Sequence, residues 1–291
     1  MNTTIYRGIL TDKGDHPFLL GEDGSRIFED ETIWSGYVRH WNGKKVCARR
    51  LPQKDYETGR PMVILWPDEP APAKPFTEIY FNERLVKYPA SFLGHMAANV
   101  NGEIFNFSHK INENEAMRHE EYFYRPALGQ FAPHPITGRD NDDDPQKPYY
   151  DKFGRLFMRT IHVLGITGLD TQKLSDILQS ELDAIHNAPP DPQRPGYYRD
   201  FNFFTRSCST IVRDGLRKLG FKKIAGIFPR DLFINAAYYF SRRIEAPEIR
   251  ISLRTLPQLS VPEAAPSALP PLLNPVNLYR YGQLKQRLTN P

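Results

Sequence analysis

The first 66 positions contain short stretches of alternating hydrophobic and polar residues. Turn signals separate these stretches at Lys13-Gly14, Asp23-Gly24, Asn42-Gly43 and Thr58-Gly59. Alternation with period two is typical of half-buried strands, and a polar residue followed by glycine favours a tight turn. The pattern predicts about five strands, one of them over Gly36 to Trp41, that form a small OB-like or SH3-like β-barrel. We assign this barrel to residues 1–67.

A proline-rich segment separates the predicted barrel from the rest of the chain. Residues 66–75 contain four prolines, a composition that favours an extended linker. Beyond it, Asn101-Gly102 predicts a tight turn in a hairpin that runs from Leu93 to His109. With a two-residue turn, Ala97 pairs with Asn106 and His95 with Ser108. These four side chains then share one face of the hairpin.

Hydrophobic residues with helical spacing follow in the second half of the chain. A strand over Met158 to Ile166 precedes a helix whose apolar positions recur from Leu174 to Ile185, with Asp170 or Thr171 as its cap. A second helix begins at Cys208 and ends at Gly220, where glycine supplies the stop. A third helix runs from about Pro229 to Arg243.

Two segments show no regular period. Residues 123–153 are rich in Pro, Gly and Asp and read as a long insertion loop. Their acidic run from Asp140 to Asp144 leaves calcium as an alternative to a solvated loop, but Pro145 stands where a calcium-binding EF loop needs glycine. The second domain is assigned to residues 76–245, and a Pro-rich C-terminal extension over 246–291 is predicted to be draped or disordered.

Composition and charge exclude several classes. The formal charge of +4 comes from 38 basic and 34 acidic residues, which is too balanced to imply nucleic acid as a partner. Two cysteines do not make a disulfide framework or a metal-ligand set, and no cofactor or metal is predicted. The start of the sequence lacks a secretory signal, and no window is long and apolar enough for a transmembrane segment. We therefore expect a product that is cytoplasmic as synthesised, with export by a non-classical route left open.

The predicted barrel carries a group of basic and aromatic residues. The group consists of Arg39, Lys44, Lys45, Arg49 and Arg50 with Trp34, Tyr37 and Trp41. Such residues form single-strand-binding faces in some barrels. The balanced total charge favours the alternative, a solvated edge beside ordinary core aromatics.

Cys208 is predicted to be the first residue of a helix, a position that favours a nucleophilic cysteine. A thiol attacks as its thiolate, and a helix N-terminus and a nearby histidine both lower its pKa from about 8.5. Cys208 also begins the apolar stripe of its helix, which continues through Ile211, Val212 and Leu216. A buried, inert cysteine is the alternative.

His95 is the preferred partner of Cys208 because its hairpin geometry is readable from the sequence. Asn106 or Ser108 is placed to orient the imidazole by accepting its second N–H. His109 points to the opposite face in this register. A structural role is the alternative for His95, and surface or core roles are the alternatives for two tentative cleft residues, Tyr198 and Asn202.

The segments Gly94 to Asn106 and Ser207 to Phe221, with a strand and a helix between them, resemble the circularly permuted branch of the NlpC/P60 papain-like superfamily. The resemblance covers roughly residues 76–240 and implies an α+β fold in which the cysteine helix packs on an antiparallel sheet. It implies Cys208 as nucleophile and His95 as base. Asn106 and Ser207 depart from the family pattern, which often has histidine and Asn or Asp at these positions.

These residues predict a cysteine hydrolase that acts on an amide bond through a thioacyl intermediate, with Cys208 as nucleophile and its backbone N–H as an oxyanion donor. The resemblance implies peptidoglycan peptides, isopeptides or lipid acyl esters as substrates. A cell-wall amidase, a lipid acyl hydrolase or acyltransferase, and a delivered bacterial toxin all stay open. A further alternative is an inactive adaptor whose barrel binds the cell wall or a protein. The sequence leaves the oligomeric state open.

Overall fold

The structure is a computed structural model that describes residues 4–14, 16–55, 58–70, 72–86, 91–109, 113–127, 153–189, 201–242 and 248–289. It is a mixed α+β protein with antiparallel sheets, and the chain divides into two compact units. Unit 1 comprises residues 1–71, 119–158 and 258–265, and unit 2 comprises residues 72–118, 159–257 and 266–291. The predicted linker, residues 66–75, therefore contains the first boundary between the two units, which lies between residues 71 and 72.

Unit 1 contains one five-stranded sheet in the order β3-β2-β1-β4-β5. Its elements are β1 (Tyr6–Thr11), β2 (Phe18–Leu20), β3 (Arg26–Ile27), α1 (Ser35–Trp41), β4 (Lys45–Lys54), β5 (Pro61–Pro67), α2 (His119–Tyr124) and α3 (Arg155–Met158). Five strands were predicted here, but the sheet of the described residues is open and does not close into a barrel. Unit 1 also takes in α2 and α3, which flank the segment predicted to be an insertion loop. Most of that segment, including the acidic run from Asp140 to Asp144, lies outside the described residues.

The segment Gly36 to Trp41, predicted as a strand, belongs to α1 instead. Tyr37 and Trp41 are both buried and lie four positions apart, which is the spacing of one face of a helix. Tyr37 contacts both Trp34 and Trp41, and all three rings contact Phe157, with ring centroids 4.7–6.0 Å apart. These three aromatic residues therefore form part of the core of unit 1, as the favoured interpretation had it. The basic group is not wholly a solvated edge, because Arg49 is buried and pairs with Glu120 and Glu121.

Unit 2 contains a six-stranded antiparallel sheet in the order β10-β9-β8-β6-β11-β12, together with a small pair β13-β7. Its strands are β6 (Thr77–Asn82), β7 (Arg84–Leu85), β8 (His95–Val100), β9 (Glu103–Asn106), β10 (Glu115–Arg118), β11 (Ile161–Thr167), β12 (Arg250–Leu256) and β13 (Ser267–Ala268). Its helices are α4 (Thr171–His186), α5 (Cys208–Lys218), α6 (Pro229–Ser241) and α7 (Pro275–Thr289). The helices α4, α5 and α6 match those that the apolar periodicity predicted.

The hairpin β8-β9 has the register expected from its turn. Ala97 pairs with Asn106 and Val100 with Glu103. Asn101 and Gly102 both have positive φ, at 56° and 99°, which is the geometry of a type I′ turn. The predicted pairing of His95 with Ser108 lies beyond the end of β9, because Ser108 bonds to the following loop instead.

One face of the sheet of unit 2 packs against α4, α5 and α6. Met96 and Ala98 of β8 belong to this core cluster together with Ile211, Val212 and Leu216 of α5. Asp170 caps α4 by accepting a hydrogen bond from the Lys173 backbone N–H, as the sequence indicated. The cysteine helix therefore lies on the sheet directly over the strand that begins with His95.

The region after residue 246 is ordered in the described part, unlike the draped or disordered extension that we predicted. β12 pairs with β11 along its whole length and forms the edge of the sheet. The prolines of this region lie outside β12, and Pro275 occupies the first position of α7, where a missing N–H is tolerated. The proline content led us to predict a draped or disordered extension. The prolines instead separate short strands and helices, which pack against the rest of unit 2.

The close packing of α4 on α5 leads to a test at Gly215. A Cβ added at Gly215 would lie 3.4 Å from the Leu174 and Leu178 side chains, which is ordinary contact. We expect Gly215→Ala to leave the free energy of unfolding unchanged or raise it by up to about 1 kcal/mol, because alanine favours a helix interior. Gly215→Leu should lower it by about 2 kcal/mol, because the larger side chain overpacks the interface. Urea unfolding measures both, and equal effects of the two substitutions would contradict this packing.

Candidate active site

The local sequence determines where the cysteine helix begins. Ser207 is the N-cap of α5, and its side chain accepts a hydrogen bond from the Thr210 backbone N–H. Thr210 Oγ1 in turn accepts the Ser207 backbone N–H at 2.7 Å. This reciprocal capping box satisfies two N–H groups that a helix start leaves without partners, and it fixes Cys208 as the first helical residue. Ser207, a departure from the resembled family, thus has a clear structural role.

The Cys208 sulfur lies against the start of β8. The backbone N–H groups of Met96, Ser209 and Cys208 itself lower the pKa of the thiol, which is the effect of N–H dipoles near the sulfur. Met96 directly follows His95, so the sulfur lies beside the peptide group that joins these two residues. The structure therefore brings the two candidate residues to the same end of β8.

Burial raises the pKa of the Cys208 thiol above its ordinary value. The N–H groups of Met96 and Ser209 and the positive charge of Arg159 act in the opposite direction, but desolvation of the thiolate outweighs them. We expected the helix N-terminus and a nearby histidine to lower this pKa, but burial has the larger effect and the pKa is raised. At neutral pH the resting residue is therefore a thiol.

His95 is oriented by Asn106 through a short hydrogen bond. His95 Nε2 lies 2.7 Å from Asn106 Oδ1, and Asn106 Nδ2 donates to the Glu113 carbonyl oxygen at 2.7 Å. Because a carbonyl only accepts, the second bond fixes which way the buried Asn106 amide points. Asn106 Oδ1 then requires a proton on His95 Nε2. In the neutral imidazole this places the basic lone pair on Nδ1.

The side-chain alternation of β8 places the His95 imidazole on the same face as Ala97 and Asn106. Met96 and α5 lie on the other face. His95 is the first residue of β8, so its side chain lies at the end of the strand. Its hydrogen bond to Asn106 holds the imidazole on the face of the strand opposite α5.

Ser108, the other candidate for the third member, has different partners. Its Oγ donates to Glu113 Oε2 at 2.5 Å, and its backbone N–H donates to Asn114 Oδ1 at 2.8 Å. These bonds tie the end of the hairpin to the following loop. Asn106 has the hydrogen bond to His95 described above, and these bonds of Ser108 are made to the loop.

Tyr198 and Asn202 were the two candidate cleft residues. Tyr198 lies outside the described residues. Asn202 is exposed, and its Oδ1 accepts hydrogen bonds from the backbone N–H groups of Phe204 and Thr205 at 3.0 and 3.1 Å. Its backbone also pairs with Arg206. Asn202 therefore holds a tight turn immediately before α5, which leaves Phe203 and Phe204 41% and 61% exposed.

Arg159 is a residue of the site that the sequence analysis missed. It is 4% exposed, and its Nη1 donates to the Glu83 carbonyl oxygen at 3.1 Å. Asn82 pairs with His95 on one side and with Ile161 on the other, so Glu83 and Arg159 adjoin the strand ends nearest His95. The Arg159 charge lowers the pKa of Cys208 against the effect of burial. The sequence shows only an arginine before a hydrophobic strand, and this pattern does not indicate that Arg159 lies near His95.

A second polar group lies next to Arg159. Glu83 Oε1 lies 3.1 Å from His162 Nε2, and Ser267 Oγ donates to Glu83 Oε2 at 2.8 Å. Burial raises the pKa of Glu83, but the hydrogen bonds from His162 and Ser267 outweigh it and leave the pKa lowered. Glu83 is thus an anion with its own partners.

Comparison with known proteins finds no similarity that assigns this site: no family model, curated protein or solved structure matches the chain. Within the described ranges, no three His, Cys, Asp or Glu side chains are grouped so as to hold a metal ion. In the same part of the chain, no helix combines the length and apolar character needed to cross a membrane.

The raised pKa of Cys208 predicts the pH dependence of its alkylation. In the absence of substrate, we expect the rate of reaction with iodoacetamide to rise with pH through a midpoint above the value of about 8.5 typical of free cysteine. Mass spectrometry of the peptide that contains Cys208 measures this rate. A midpoint near neutral pH would contradict a resting thiol.

The charge of Arg159 predicts a second effect on the same reaction. Arg159→Gln should slow alkylation of Cys208 at pH 8 by roughly tenfold, because it removes a cation that stabilises the thiolate. Arg159→Lys should restore part of the rate. The matched control is Arg230→Gln, since the Arg230 charge acts on Glu83. Equal rates in the wild type and in Arg159→Gln would show that Arg159 has no electrostatic effect on the sulfur.

Proposed function

We propose that this chain is a cysteine hydrolase that cleaves an amide bond, with Cys208 as nucleophile and His95 as general base. The observation that carries the proposal is the position of the Cys208 sulfur at a helix start, against the peptide group that follows a histidine oriented by Asn106. A nucleophile, a base and an orienting group are the three parts that acyl transfer requires. A peptide or isopeptide is the proposed substrate.

The raised thiol pKa defines the type of proton transfer. A resting thiolate and imidazolium pair would need a lowered pKa, so we propose general-base catalysis in which the proton moves during attack. As the sulfur bonds to the substrate carbonyl carbon, the S–H proton passes to His95 Nδ1. The Nε2–H bond to Asn106 Oδ1 keeps the imidazole in the tautomer that receives this proton and then stabilises the imidazolium.

The remaining steps follow from the same groups. The carbonyl oxygen gains negative charge in the tetrahedral intermediate, and the Cys208 backbone N–H at the helix start is the proposed donor to it. When the intermediate collapses, the C–N bond breaks and His95 gives its proton to the departing amine. Water then attacks the thioester with His95 as base, which releases the acid and restores the Cys208 thiol.

The order of the chemical groups along the chain supports the same proposal. In the permuted NlpC/P60 branch, a histidine on a strand comes first, a strand and a helix follow, and a cysteine at a helix start comes last. In this chain the corresponding elements are β8 with His95, then β11 and α4, and then α5 with Cys208. In that branch the cysteine helix packs on an antiparallel sheet, an arrangement shared by α5 and β8. Membership of the papain-like fold remains part of this proposal.

A second candidate is hydrolysis or transfer of a lipid acyl ester at the same cysteine. The observation that favours it is the exposure of Phe201, Phe203 and Phe204 in the turn that leads directly into Ser207 and Cys208. Exposed phenylalanines beside a nucleophile suit an apolar acyl chain better than a polar peptide. The attack on the carbonyl is the same, and only the leaving group differs.

Substitution at the site tests the proposal. Against a panel of peptide amides, peptidoglycan fragments and lipid acyl esters, Cys208→Ala should lower the rate of hydrolysis by roughly a thousandfold or more. His95→Gln should lower kcat by roughly 10² to 10⁴. Asn106→Ala should have a smaller effect on kcat and should shift its pH profile, because the imidazole loses its orienting acceptor.

Cys47→Ser is the matched control, because Cys47 is the second free cysteine and bonds to Asp68 in unit 1. Its activity should equal that of the wild type. If the wild type cleaves no member of the panel, or if Cys208→Ala is as active as the wild type, the hydrolase proposal fails. The non-catalytic adaptor then becomes the better description.

A further inference from the structure

The loop that joins β9 to β10 holds Asn106, the residue that orients His95. Asn106 is buried, and its Nδ2 donates to the Glu113 carbonyl oxygen at 2.7 Å. Its Oδ1 lies 2.7 Å from His95 Nε2. The position of one loop carbonyl oxygen therefore determines which end of the Asn106 amide faces the imidazole.

The orientation of this amide determines the tautomer of His95. With the Glu113 carbonyl oxygen in place, Nδ2 of Asn106 points to the loop and Oδ1 points to the imidazole. Without that carbonyl, the amide could turn over and present an N–H to His95 Nε2. In the neutral imidazole the proton would then lie on Nδ1, and Nδ1 would no longer accept the proton of a thiol.

Ser108 and Asn114 hold the peptide group that carries this carbonyl. Asn106 pairs with Glu115 in the register of β9 and β10, and the same register places Ser108 opposite Glu113. Ser108 Oγ donates to Glu113 Oε2 at 2.5 Å, and Asn114 Oδ1 accepts the Ser108 backbone N–H at 2.8 Å. Hydrogen bonds on both residues of the peptide group therefore restrict its rotation.

The C-terminal end of α4 adds a third bond to the same loop. His186 is the last residue of α4, and its Nε2 lies 2.7 Å from the Asn114 carbonyl oxygen. Because a carbonyl only accepts, His186 Nε2 carries a proton and donates it. Leu182 and Ile185 of α4 are buried in the core of unit 2. The bond from His186 therefore ties the loop to a helix that the core holds in place.

We propose that Asn114 is a positioning residue for His95. Its side chain and its carbonyl oxygen hold the Glu113 carbonyl where it fixes the Asn106 amide, and the amide keeps the basic lone pair of the imidazole on Nδ1. The effect on catalysis rests on the proposed function, whereas the effect on the imidazole tautomer does not.

Nuclear magnetic resonance of the histidine ring nitrogens in the isotope-labelled full chain tests the tautomer directly. At a pH at which His95 is neutral, the wild type should show a protonated Nε2 and an unprotonated Nδ1, and His95→Gln identifies the signals. Asn114→Ala should raise the ratio of the Nδ1–H to the Nε2–H tautomer by roughly tenfold, because the loop loses a buried hydrogen bond. His186→Ala, at an exposed position, should change the ratio in the same direction by a smaller factor.

Two further variants separate positioning from a general loss of structure. Asn114→Asp keeps an acceptor oxygen for the Ser108 N–H and should retain most of the wild-type tautomer ratio. Asn235→Ala is the matched control, because Asn235 is also buried and its Oδ1 accepts the Ala225 backbone N–H at 2.7 Å. It should lower the free energy of unfolding and leave the His95 tautomer unchanged. Circular dichroism confirms that each variant is folded.

Kinetics of the same variants connect the tautomer to catalysis. With a substrate that the wild type cleaves, Asn114→Ala should lower kcat by roughly tenfold with little change in KM, because Asn114 acts through the base. Asn114→Asp should restore most of kcat.

The outcomes distinguish the positioning role from the hydrolase proposal. The positioning role is overturned if wild-type His95 carries its proton on Nδ1, if Asn114→Ala and His186→Ala both keep the wild-type ratio, or if Asn235→Ala shifts the ratio as much as Asn114→Ala. A tautomer that shifts as expected in a protein that cleaves no substrate would support the positioning role and contradict the hydrolase proposal.

Discussion

The packing of α5 against β8 is the interaction on which the candidate site depends. Ile211, Val212 and Leu216 bury one side of the helix on the sheet, and the capping box at Ser207 fixes the residue at which the helix starts. Together they set both the axial position and the rotation of α5. Cys208 packs against the core that contains Met96 for this reason, and a shift of the helix by one residue would place a serine at this position.

The same packing creates an electrostatic conflict. Apolar burial stabilises the fold, yet it disfavours a thiolate at the end of the buried stripe. Three N–H groups and Arg159 partly offset the desolvation but do not reverse it. The protein therefore favours a neutral thiol at Cys208, and the proposed chemistry requires His95 as the proton acceptor.

The sequence predicted those features that local physics determines. The turn at Asn101-Gly102 fixed the register of its hairpin, and apolar periodicity located α4, α5 and α6. It did not predict the helix at Ser35 to Trp41, where two aromatics four positions apart were taken as part of a strand. It also missed Arg159 and the edge strand β12, because their places depend on strands distant in sequence. The choice of Asn106 over Ser108 likewise required the loop carbonyl of Glu113.

The strands of unit 2 meet across long stretches of chain. β6 pairs with β11, and β11 pairs with β12 near the end of the sequence, while unit 1 takes in residues 258–265. A topology dominated by such distant contacts pays loop-closure entropy before it gains stability, so it folds slowly. Neither unit is complete until most of the chain has been synthesised. Cys208, His95 and Arg159 are therefore brought together late, after most of the chain has left the ribosome, and a chain truncated before β12 lacks the edge strand of the sheet on which the candidate site is built.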